Sequence, residues 1–518
     1  MITKKNRLNC TPTSLNMTYI TASKLYDYIQ CPHRIWRDAN GPQEEKIDET
    51  NPFVELLWEK GVKHEEKIVS QLGDFLDLSE GTHEERFAKT TEAMKSKASL
   101  IYQGVLICEN MLGIPDLLKK LPDDTYMPVD IKSGMGFEGV DEETGEEGKP
   151  KKHYAVQLCL YNDLLKKLGF CTHNNGVVID IHGEHVEYDL VALMGPRSKK
   201  SWWEFYEEIK KHVDFLLNNQ HTNKPAMAGI CKLCPWYNSC KGWCEETKDL
   251  TNVFYLGRSN RDKLNEDLLI ESLDEFVDLD IEEAMKQKEN EKKSGNKDFL
   301  YRIGKDSLAK AVCRANILCR TKKPVLYGTL DFPKVSHELF FDIEDDPTQD
   351  FVYLHGVYER SANGEKFIHF TAKEITDDSE KRIWQDFWNY INTLPPDDFA
   401  VYYYAHHEKT TYKRLQKRYP DVITLEEVEN FYDNPNVIDL YSVIQKQTDW
   451  PVGSYSLKAL ATYLKFKWRD KTPSGALSIQ WFNEYLETKD ESIMKRILEY
   501  NEDDCKATMI LKDALEKL

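Results

Sequence analysis

The stretch Glu338-Leu339-Phe340-Phe341-Asp342-Ile343-Glu344 indicates the fold of the C-terminal part of this chain most directly. An apolar run that ends in acidic residues two apart is typical of a buried strand with a charged end. Because side chains alternate along a strand, Asp342 and Glu344 point to the same side. Two carboxylates on one side are what a two-metal site needs. The competing interpretation is a chance acidic pair.

A second acidic motif, Tyr500-Asn501-Glu502-Asp503-Asp504, lies near the C-terminus. The surrounding pattern predicts a helix, in which residues four apart share a face, so Tyr500 and Asp504 come together. Either Asp503 or Asp504 could bind a metal ion, and the spacing from the tyrosine favours Asp504. The two motifs together therefore predict one acidic site.

With the predicted strand Phe399 to Tyr404, Val437-Ile438-Asp439-Leu440-Tyr441 and Ser456-Leu457-Lys458-Ala459-Leu460, these motifs resemble the RNase H-like exonucleases of the DEDD group. The resemblance implies that Asp342, Glu344 and Asp504 bind Mg²⁺ or Mn²⁺ and that Tyr500 orients the attacking water. One departure is that Glu408 stands where the family has an aspartate. Its longer side chain can still bind a metal ion, although the spacing or affinity could differ.

Another pair of carboxylates lies in the N-terminal half. Two strands are predicted, from Gly113 to Leu118 and from Tyr126 to Ile131. A turn at Pro122-Asp123-Asp124 lies between them, so the two strands are predicted to form a hairpin. A hairpin folded about residue 123 sets Asp116 opposite Asp130, so both carboxylates can reach one ion.

A basic residue accompanies this pair. In Asp130-Ile131-Lys132 the alternation of the strand sends Asp130 and Lys132 to the same face. The ammonium can then position the attacking water or stabilise charge in the transition state. Without further motifs, a surface hairpin with outward charges is an equal alternative.

Three further residues complete an order of motifs. His64 lies in the predicted helix Phe53 to Gln71, and Gln157 and Tyr161 share one face of the predicted helix Tyr154 to Leu168. With Asp116, Asp130 and Lys132, these residues resemble the five-part signature of RecB-type nucleases of the PD-(D/E)XK superfamily. The resemblance implies that His64, Asp116 and Asp130 hold the metal ion, that Lys132 assists the water, and that Gln157 and Tyr161 orient the substrate or the lysine.

A cysteine set follows these motifs. Cys231, Cys234 and Cys240 have a ligand spacing that needs a fourth sulfur, for which Cys31 and Cys244 are the candidates. The layout is similar to that of RecB-like nucleases with an iron-sulfur cluster, in which the fourth ligand lies far upstream. This resemblance favours Cys31 and implies a [4Fe-4S] cluster; structural Zn²⁺ is the alternative.

Composition sets the limits of this interpretation. The 518 residues carry a net charge of -19, which argues against a generally sticky nucleic-acid binder but not against a nuclease with bound cations. We expect three domains, at residues 17–250, 251–334 and 335–518. The middle one is predicted to be a helical connector with a solvated loop at residues 286–295 and a degenerate helix-hairpin-helix at 256–276. The absence of an apolar run predicts no membrane span and a cytoplasmic protein.

The expected fold class is α/β, with a restriction-endonuclease-like core stapled by an iron-sulfur cluster, a helical connector and an RNase H-like domain. The expected function is metal-dependent hydrolysis of DNA, at single-stranded ends, in DNA repair or defence against foreign DNA. RNA processing by the C-terminal domain and a nucleic-acid-binding adaptor for a helicase are the alternatives. Because the sequence has no phosphate-binding loop, we expect any helicase partner to be encoded separately.

Overall fold

The computed structural model describes residues 18–47, 52–138, 148–195 and 198–518. The chain forms two compact units: the first comprises mainly the residues up to Ser239, and the second comprises mainly Cys240–Leu518. Each unit has its own central sheet. Among the described residues, none of the helices has the length and apolar character needed to cross a bilayer.

The first unit combines helices with short strands. The helices are α1 (Ala22–Gln30), α2 (Pro32–Asn40), α3 (Pro52–Val69), α4 (His83–Lys95), α5 (Lys152–Leu168) and α6 (Trp202–Leu217), and α7 (Tyr237–Glu246) follows at the boundary between the units. The strands are β1 (Leu76–Asp77), β2 (Leu100–Tyr102), β3 (Leu106–Cys108), β4 (Met111–Gly113), β5 (Leu117–Lys120), β6 (Tyr126–Ile131), β7 (Phe137–Glu138), β8 (Lys149–Pro150), β9 (Asn175–Ile179) and β10 (His185–Asp189).

A mixed six-stranded sheet organises this unit, in the order β1-β2-β5-β6-β9-β10. Strands β5 and β6 form the predicted hairpin, in which Leu117 pairs with Val129, and one residue further along this register sets Asp116 opposite Asp130. The strand predicted from Tyr126 is confirmed. The strand predicted from residue 113 to 118 is instead divided between β4 and β5, since Pro115 has no N–H to donate to a ladder.

The second unit is larger and contains the residues predicted to form the connector (251–334) and the C-terminal domain (335–518). Its helices are α8 (Arg258–Leu268), α9 (Leu273–Phe276), α10 (Ile281–Ser294), α11 (Lys305–Asn316), α12 (Asp377–Ile391), α13 (His407–Arg418), α14 (Leu425–Asp433), α15 (Leu440–Gln447), α16 (Leu457–Tyr463), α17 (Gly475–Thr488) and α18 (Glu491–Leu515). Its strands are β11 (Val325–Leu326), β12 (His337–Asp346), β13 (Phe351–Ser361), β14 (Gly364–Thr371), β15 (Phe399–Tyr403), β16 (Val437–Asp439) and β17 (Thr448–Asp449).

The sheet of the second unit has the order β14-β13-β12-β15-β16, with β12 antiparallel to β13 and parallel to β15. Strand β12 is buried on both faces. Leu339, Phe341 and Ile343 enter a core shared with α12 and α13, whereas Phe340 packs in a core that includes residues of α18. Because side chains alternate, Asp342 and Glu344 lie on the same face as Phe340, toward α18. The alternation predicted from the sequence is confirmed.

One sequence prediction in the connector is wrong. Residues 286–295 are not a loop: helix α10 runs from Ile281 to Ser294. The Asp280 carboxylate caps its first turn, and Gly295, with a φ of 104°, ends it. Lysine and glutamate, which dominate this stretch, are good helix formers, and their charges suit a helix that is exposed to solvent.

A buried ion pair links the connector to the C-terminal domain. Arg314 on α11 donates from Nε to Asp449 Oδ1 at 2.6 Å. The side chain of Arg314 is 8% exposed and that of Asp449 is fully buried. Tyr455 and Tyr327 each donate a further hydrogen bond to Asp449, at 3.0 Å in both cases. The arginine therefore compensates a charge that water cannot reach.

We expect Arg314→Met to lower the free energy of unfolding of the second unit by about 3–5 kcal/mol, because it leaves the Asp449 charge buried without a cation. Arg320→Met is the matched control, since Arg320 pairs with Asp278 on the surface, where both side chains are at least half exposed. Urea unfolding of the full chain measures both variants. Equal effects of the two substitutions would contradict the role of the buried pair.

Candidate metal centres

Three carboxylates of the second unit meet in one place. Asp342 and Glu344 lie on β12 and Asp504 lies on α18, and a ligand oxygen from each is within 4.8 Å of the others. Glu344 and Asp504 are almost fully buried. A bulge in the ladder between Glu344 and Asp345 ends the regular alternation directly after the pair. Strand and helix thus bring together residues that are about 160 positions apart in the sequence.

The amide of Asn501 connects two of these carboxylates. Its Nδ2 donates to Asp342 Oδ2 at 2.7 Å and to Glu344 Oε1 at 3.3 Å. Gly356 pairs with Asp342 across the ladder, and a Cβ at this glycine would lie 1.7 Å from Asn501 Oδ1. The glycine therefore makes the space that Asn501 occupies. Neither residue was predicted from the sequence, although Asn501 lies three positions before Asp504, on the same side of the helix.

Other donors surround Asp504. Trp468 donates from Nε1 to Asp504 Oδ1 at 2.6 Å, and the Tyr500 hydroxyl also hydrogen-bonds to the Asp504 carboxylate. Lys458 donates from Nζ to the Tyr500 hydroxyl at 2.8 Å. Lys458 lies in the Ser456-to-Leu460 motif quoted above. Its positive charge opposes the rise in the pKa of all three carboxyl groups that burial causes.

The neighbouring Asp503 has a different partner. Arg469 donates to its carboxylate from the backbone N at 2.8 Å and from Nε at 3.0 Å. Asp503 is consequently held away from the cluster in an ion pair. Of the two aspartates that the sequence left open, Asp504 is the one that lies beside Asp342 and Glu344.

The cluster carries more negative charge than its surroundings neutralise. Burial, followed by the charges of Asp504, Glu344 and Glu408, raises the pKa of Asp342 well above its usual range. Burial and the charge of Asp504 raise the pKa of Glu344 to about 8. Three carboxylate oxygens in one buried place are the hard ligands that Mg²⁺ and Mn²⁺ prefer, and a divalent cation supplies the missing charge. The donor set fits such an ion.

Glu408 lies next to this cluster on the first turn of α13. It is 2% exposed, and within the described chain its Oε2 has no hydrogen-bond partner. Burial, then the charges of Asp439 and Asp345, raises its pKa well above the usual range. Its charge acts on Asp342, but it is not one of the three residues within 4.8 Å of one another. The structure thus places Glu408 near the centre without direct contact between its carboxylate and all three others.

Residues 339–516 match the model of the family RNase_H_2, in the RNase_H superfamily. The C-terminal domain is RNase H-like. This match contains Asp342, Glu344, Glu408, Tyr500 and Asp504. No curated protein and no solved structure matches the chain.

Outside the RNase H-like domain, the first unit holds the other carboxylate pair. Asp116 accepts a hydrogen bond from Ile131 N at 2.7 Å through Oδ2, and Lys132 forms an ion pair with Asp130. Burial, then the charge of Asp130, raises the pKa of Asp116 well above its usual range. Burial lowers the pKa of Lys132, but the charges of Asp130 and Asp116 outweigh it and raise the pKa to about 12. The three residues therefore form one electrostatic group.

The other residues predicted for this site, Gln157, Tyr161 and His64, each take part in a hydrogen bond. Gln157 donates from Nε2 to the Tyr161 hydroxyl at 2.8 Å, and that hydroxyl donates to the Ile114 carbonyl at 3.2 Å, two residues before Asp116. His64 on α3 is in a hydrogen bond between its Nε2 and the Asp180 carbonyl at 3.1 Å, directly after β9. Since β9 pairs with β6, the histidine is located at the strand ends near Lys132.

Two further residues of this group, Gln103 and Glu65, were not predicted from the sequence. Gln103 donates from Nε2 to Asp116 Oδ1 at 3.1 Å and to Glu65 Oε1 at 2.9 Å. Glu65 follows His64 on α3, and its charge contributes to the raised pKa of Asp116. Nothing in a single sequence distinguishes Glu65 from the other acidic residues of this helix.

Contacts within the first unit bring the upstream and downstream cysteine segments together. Trp236 donates from Nε1 to Asp38 at 2.9 Å, and Ile47 N donates to the Pro235 carbonyl at 3.0 Å. Burial raises the pKa of Cys234, and the charges of Cys31 and Cys231 raise it further. Cys31 and Cys231 therefore act electrostatically on Cys234, but among the described residues these three thiols are not a group whose ligand atoms all lie within 4.8 Å of one another.

We expect Mn²⁺ to stabilise the RNase H-like domain more strongly as pH rises. A carboxyl group whose pKa is raised on folding contributes stability below its unfolded pKa, and this stability is lost as pH rises through the folded pKa, about 8 for Glu344. Metal binding replaces the protons. Calorimetric melting with and without Mn²⁺ between pH 6 and 9 measures the stabilisation by the ion at each pH. Glu344→Gln should remove the increase of this stabilisation with pH. A stabilisation that is constant or falls with pH would contradict this assignment.

We expect Gly356→Ala to weaken Mn²⁺ binding and to destabilise the domain by about 1–3 kcal/mol, because the new Cβ displaces Asn501. The double variant Gly356→Ala/Asn501→Ala should regain stability but not metal affinity. Gly475→Ala is the control, since nothing lies within 4 Å of a Cβ there. Unfolding and Mn²⁺ titration calorimetry report the two effects separately. Normal metal affinity in Gly356→Ala would refute the role of Asn501.

Proposed function

We propose that this protein is a metal-dependent nuclease that hydrolyses phosphodiester bonds at the Asp342, Glu344 and Asp504 centre. The observation that carries the proposal is the convergence of these three carboxylates, two of them almost fully buried, within a domain of the RNase_H superfamily. Mg²⁺ or Mn²⁺ bound there would polarise the phosphoryl oxygen and lower the pKa of a bound water. The protein supplies the geometry for this chemistry.

The residues of the second unit have separate roles in this proposal. Asp342, Glu344 and Asp504 bind the ion, and Asn501 fixes the first two through its amide. The Tyr500 hydroxyl is directed by Lys458 and Asp504 and orients the attacking water. Glu408, which is buried without a hydrogen bond to Oε2, takes the position of the fourth acidic residue.

We propose a second, RecB-like PD-(D/E)XK site in the first unit. Asp116 and Asp130 would hold Mg²⁺ or Mn²⁺ with a contribution from His64, Lys132 would assist the water, and Gln157 and Tyr161 would orient the substrate or the lysine. The support is the common electrostatic environment of Asp116, Asp130 and Lys132. Cys31, Cys231, Cys234 and Cys240 are proposed to hold a [4Fe-4S] cluster, with zinc as the alternative. Cys240 is included because of its spacing from Cys231 and Cys234 in the sequence.

The proposed substrate is DNA, at single-stranded ends, in repair or in defence against foreign DNA. This choice rests on the resemblance to RecB-type nucleases in the first unit. A separately encoded helicase would supply single strands, since the chain has no phosphate-binding loop. RNA is the alternative substrate for the RNase H-like domain.

The test is cleavage of end-labelled single-stranded DNA and RNA with Mn²⁺ by anaerobically purified protein. We expect Asp504→Asn to lower cutting by the RNase H-like domain on the order of 100-fold or more, since it removes a metal ligand. Asp513→Asn is the matched control, because Asp513 lies on the same helix and pairs with Arg360.

Asp130→Asn tests the first unit in the same assay, with Asp163→Asn as its control, because Asp163 is a buried aspartate bonded to Lys210. Activity that survives in the Asp504→Asn protein and disappears with Asp130→Asn belongs to the first unit. Wild-type protein that cuts neither polymer, or full activity in the Asp504→Asn/Asp130→Asn double variant, would refute the proposed function.

A further inference from the structure

The segment between α16 and α17 has an unusual pattern of charge. In Lys465-Phe466-Lys467-Trp468-Arg469-Asp470-Lys471 every second residue is basic, in a chain whose net charge is -19. The four basic residues are exposed, whereas Phe466, Trp468 and Asp470 between them are partly buried. The segment therefore exposes four cations within seven residues. We call it the basic loop (Lys465–Lys471).

The basic loop is attached directly to the acidic centre. The indole of Trp468 donates to Asp504 Oδ1 at 2.6 Å, and its edge meets the ring of Phe466 at a centroid distance of 4.8 Å. Arg469 bonds to Asp503, the residue before Asp504. The inward side chains thus fix the loop beside a metal-ligand candidate while the lysines remain outside.

The lysines of the basic loop have no acidic partner among the described residues. Over residues 18–47, 52–138, 148–195 and 198–518, Lys465, Lys467 and Lys471 form no ion pair, and the one acidic residue of the loop, Asp470, bonds to Arg496 at 2.6 Å. The basic residues of α13 contrast with this pattern. They pair with carboxylates: Lys409 with Asp433, Arg414 with Asp350 and Arg418 with Glu380.

A second short basic stretch adjoins the loop. Tyr463 at the end of α16 donates from its hydroxyl to the Lys322 carbonyl at 3.1 Å. Lys322 and Lys323 are both exposed. Exposed cations are therefore present both on the basic loop and on the stretch that Tyr463 contacts.

We propose that the basic loop binds the phosphate backbone of a single-stranded nucleic acid and holds it beside the Asp342, Glu344 and Asp504 centre. Unpaired lysines next to a cluster of carboxylates offset the repulsion that a polyanion would meet there. Contacts from lysines to phosphates carry no information on the bases, so DNA and RNA strands both fit. The proposal adds a substrate-binding surface to the proposed nuclease function and rests on it only for the direction of the strand toward the centre.

The test is binding rather than cutting. Fluorescence anisotropy of labelled oligothymidylate and oligouridylate, in EDTA to prevent metal-dependent hydrolysis, is measured against salt concentration. Lys465→Gln/Lys467→Gln/Lys471→Gln should lower affinity on the order of tenfold and lower the slope of log affinity against log salt by about 2, since each cation contributes about 0.7 with single strands. The charge-matched control is Lys286→Gln/Lys292→Gln/Lys293→Gln, which changes exposed residues of α10 and should leave the slope unaltered.

Several results separate this proposal from the proposed function. If wild type binds strands but does not cut them, and the loop variant loses binding, the surface stands and the nuclease function fails. Unchanged affinity and slope in the loop variant would overturn the surface, as would equal losses in the α10 control. Competition by polyglutamate as strong as that by the oligonucleotides would identify a site for acidic peptides instead. A larger loss for one of the two oligonucleotides supports the surface and names the preferred polymer.

Discussion

The mutual repulsion of three neighbouring carboxylates, two of them almost fully buried, governs how the acidic site of the second unit is built. Strand β12 carries Asp342 and Glu344, and helix α18 carries Asp504. Their packing holds a ligand oxygen of each residue within 4.8 Å of the others. Neutral donors from Asn501, Tyr500 and Trp468 together with the ammonium of Lys458 reduce the cost. The pKa of Glu344 nevertheless remains raised to about 8, so the site favours either protons or a cation.

The first unit meets a similar difficulty with a different solution. There the Asp116 and Asp130 pair has a lysine in the same group, and the two negative charges raise the pKa of Lys132 to about 12. The lysine is therefore charged and already neutralises part of the site. In the RNase H-like domain, Lys458 instead donates to the Tyr500 hydroxyl. The two proposed centres therefore differ in how a lysine takes part.

Sequence patterns predicted the parts of the structure that depend on local periodicity. Alternation along β12 placed Asp342 and Glu344 on one face, and four-residue spacing on α18 placed Tyr500 beside Asp504. The hairpin register set Asp116 opposite Asp130. Asn501, Gly356, Trp468 and Gln103 were missed because their roles arise from packing between distant segments. The loop predicted at residues 286–295 is a helix because charge alone does not distinguish a solvated helix from a loop.

Anomalous diffraction from crystals of the full chain grown with Mn²⁺ would locate the bound ion. We expect an anomalous peak in contact with oxygens of Asp342, Glu344 and Asp504, and its loss in Asp504→Asn crystals grown in the same way. An empty cluster in crystals that hold Mn²⁺ elsewhere, or a lysine or water in place of the ion, would contradict it.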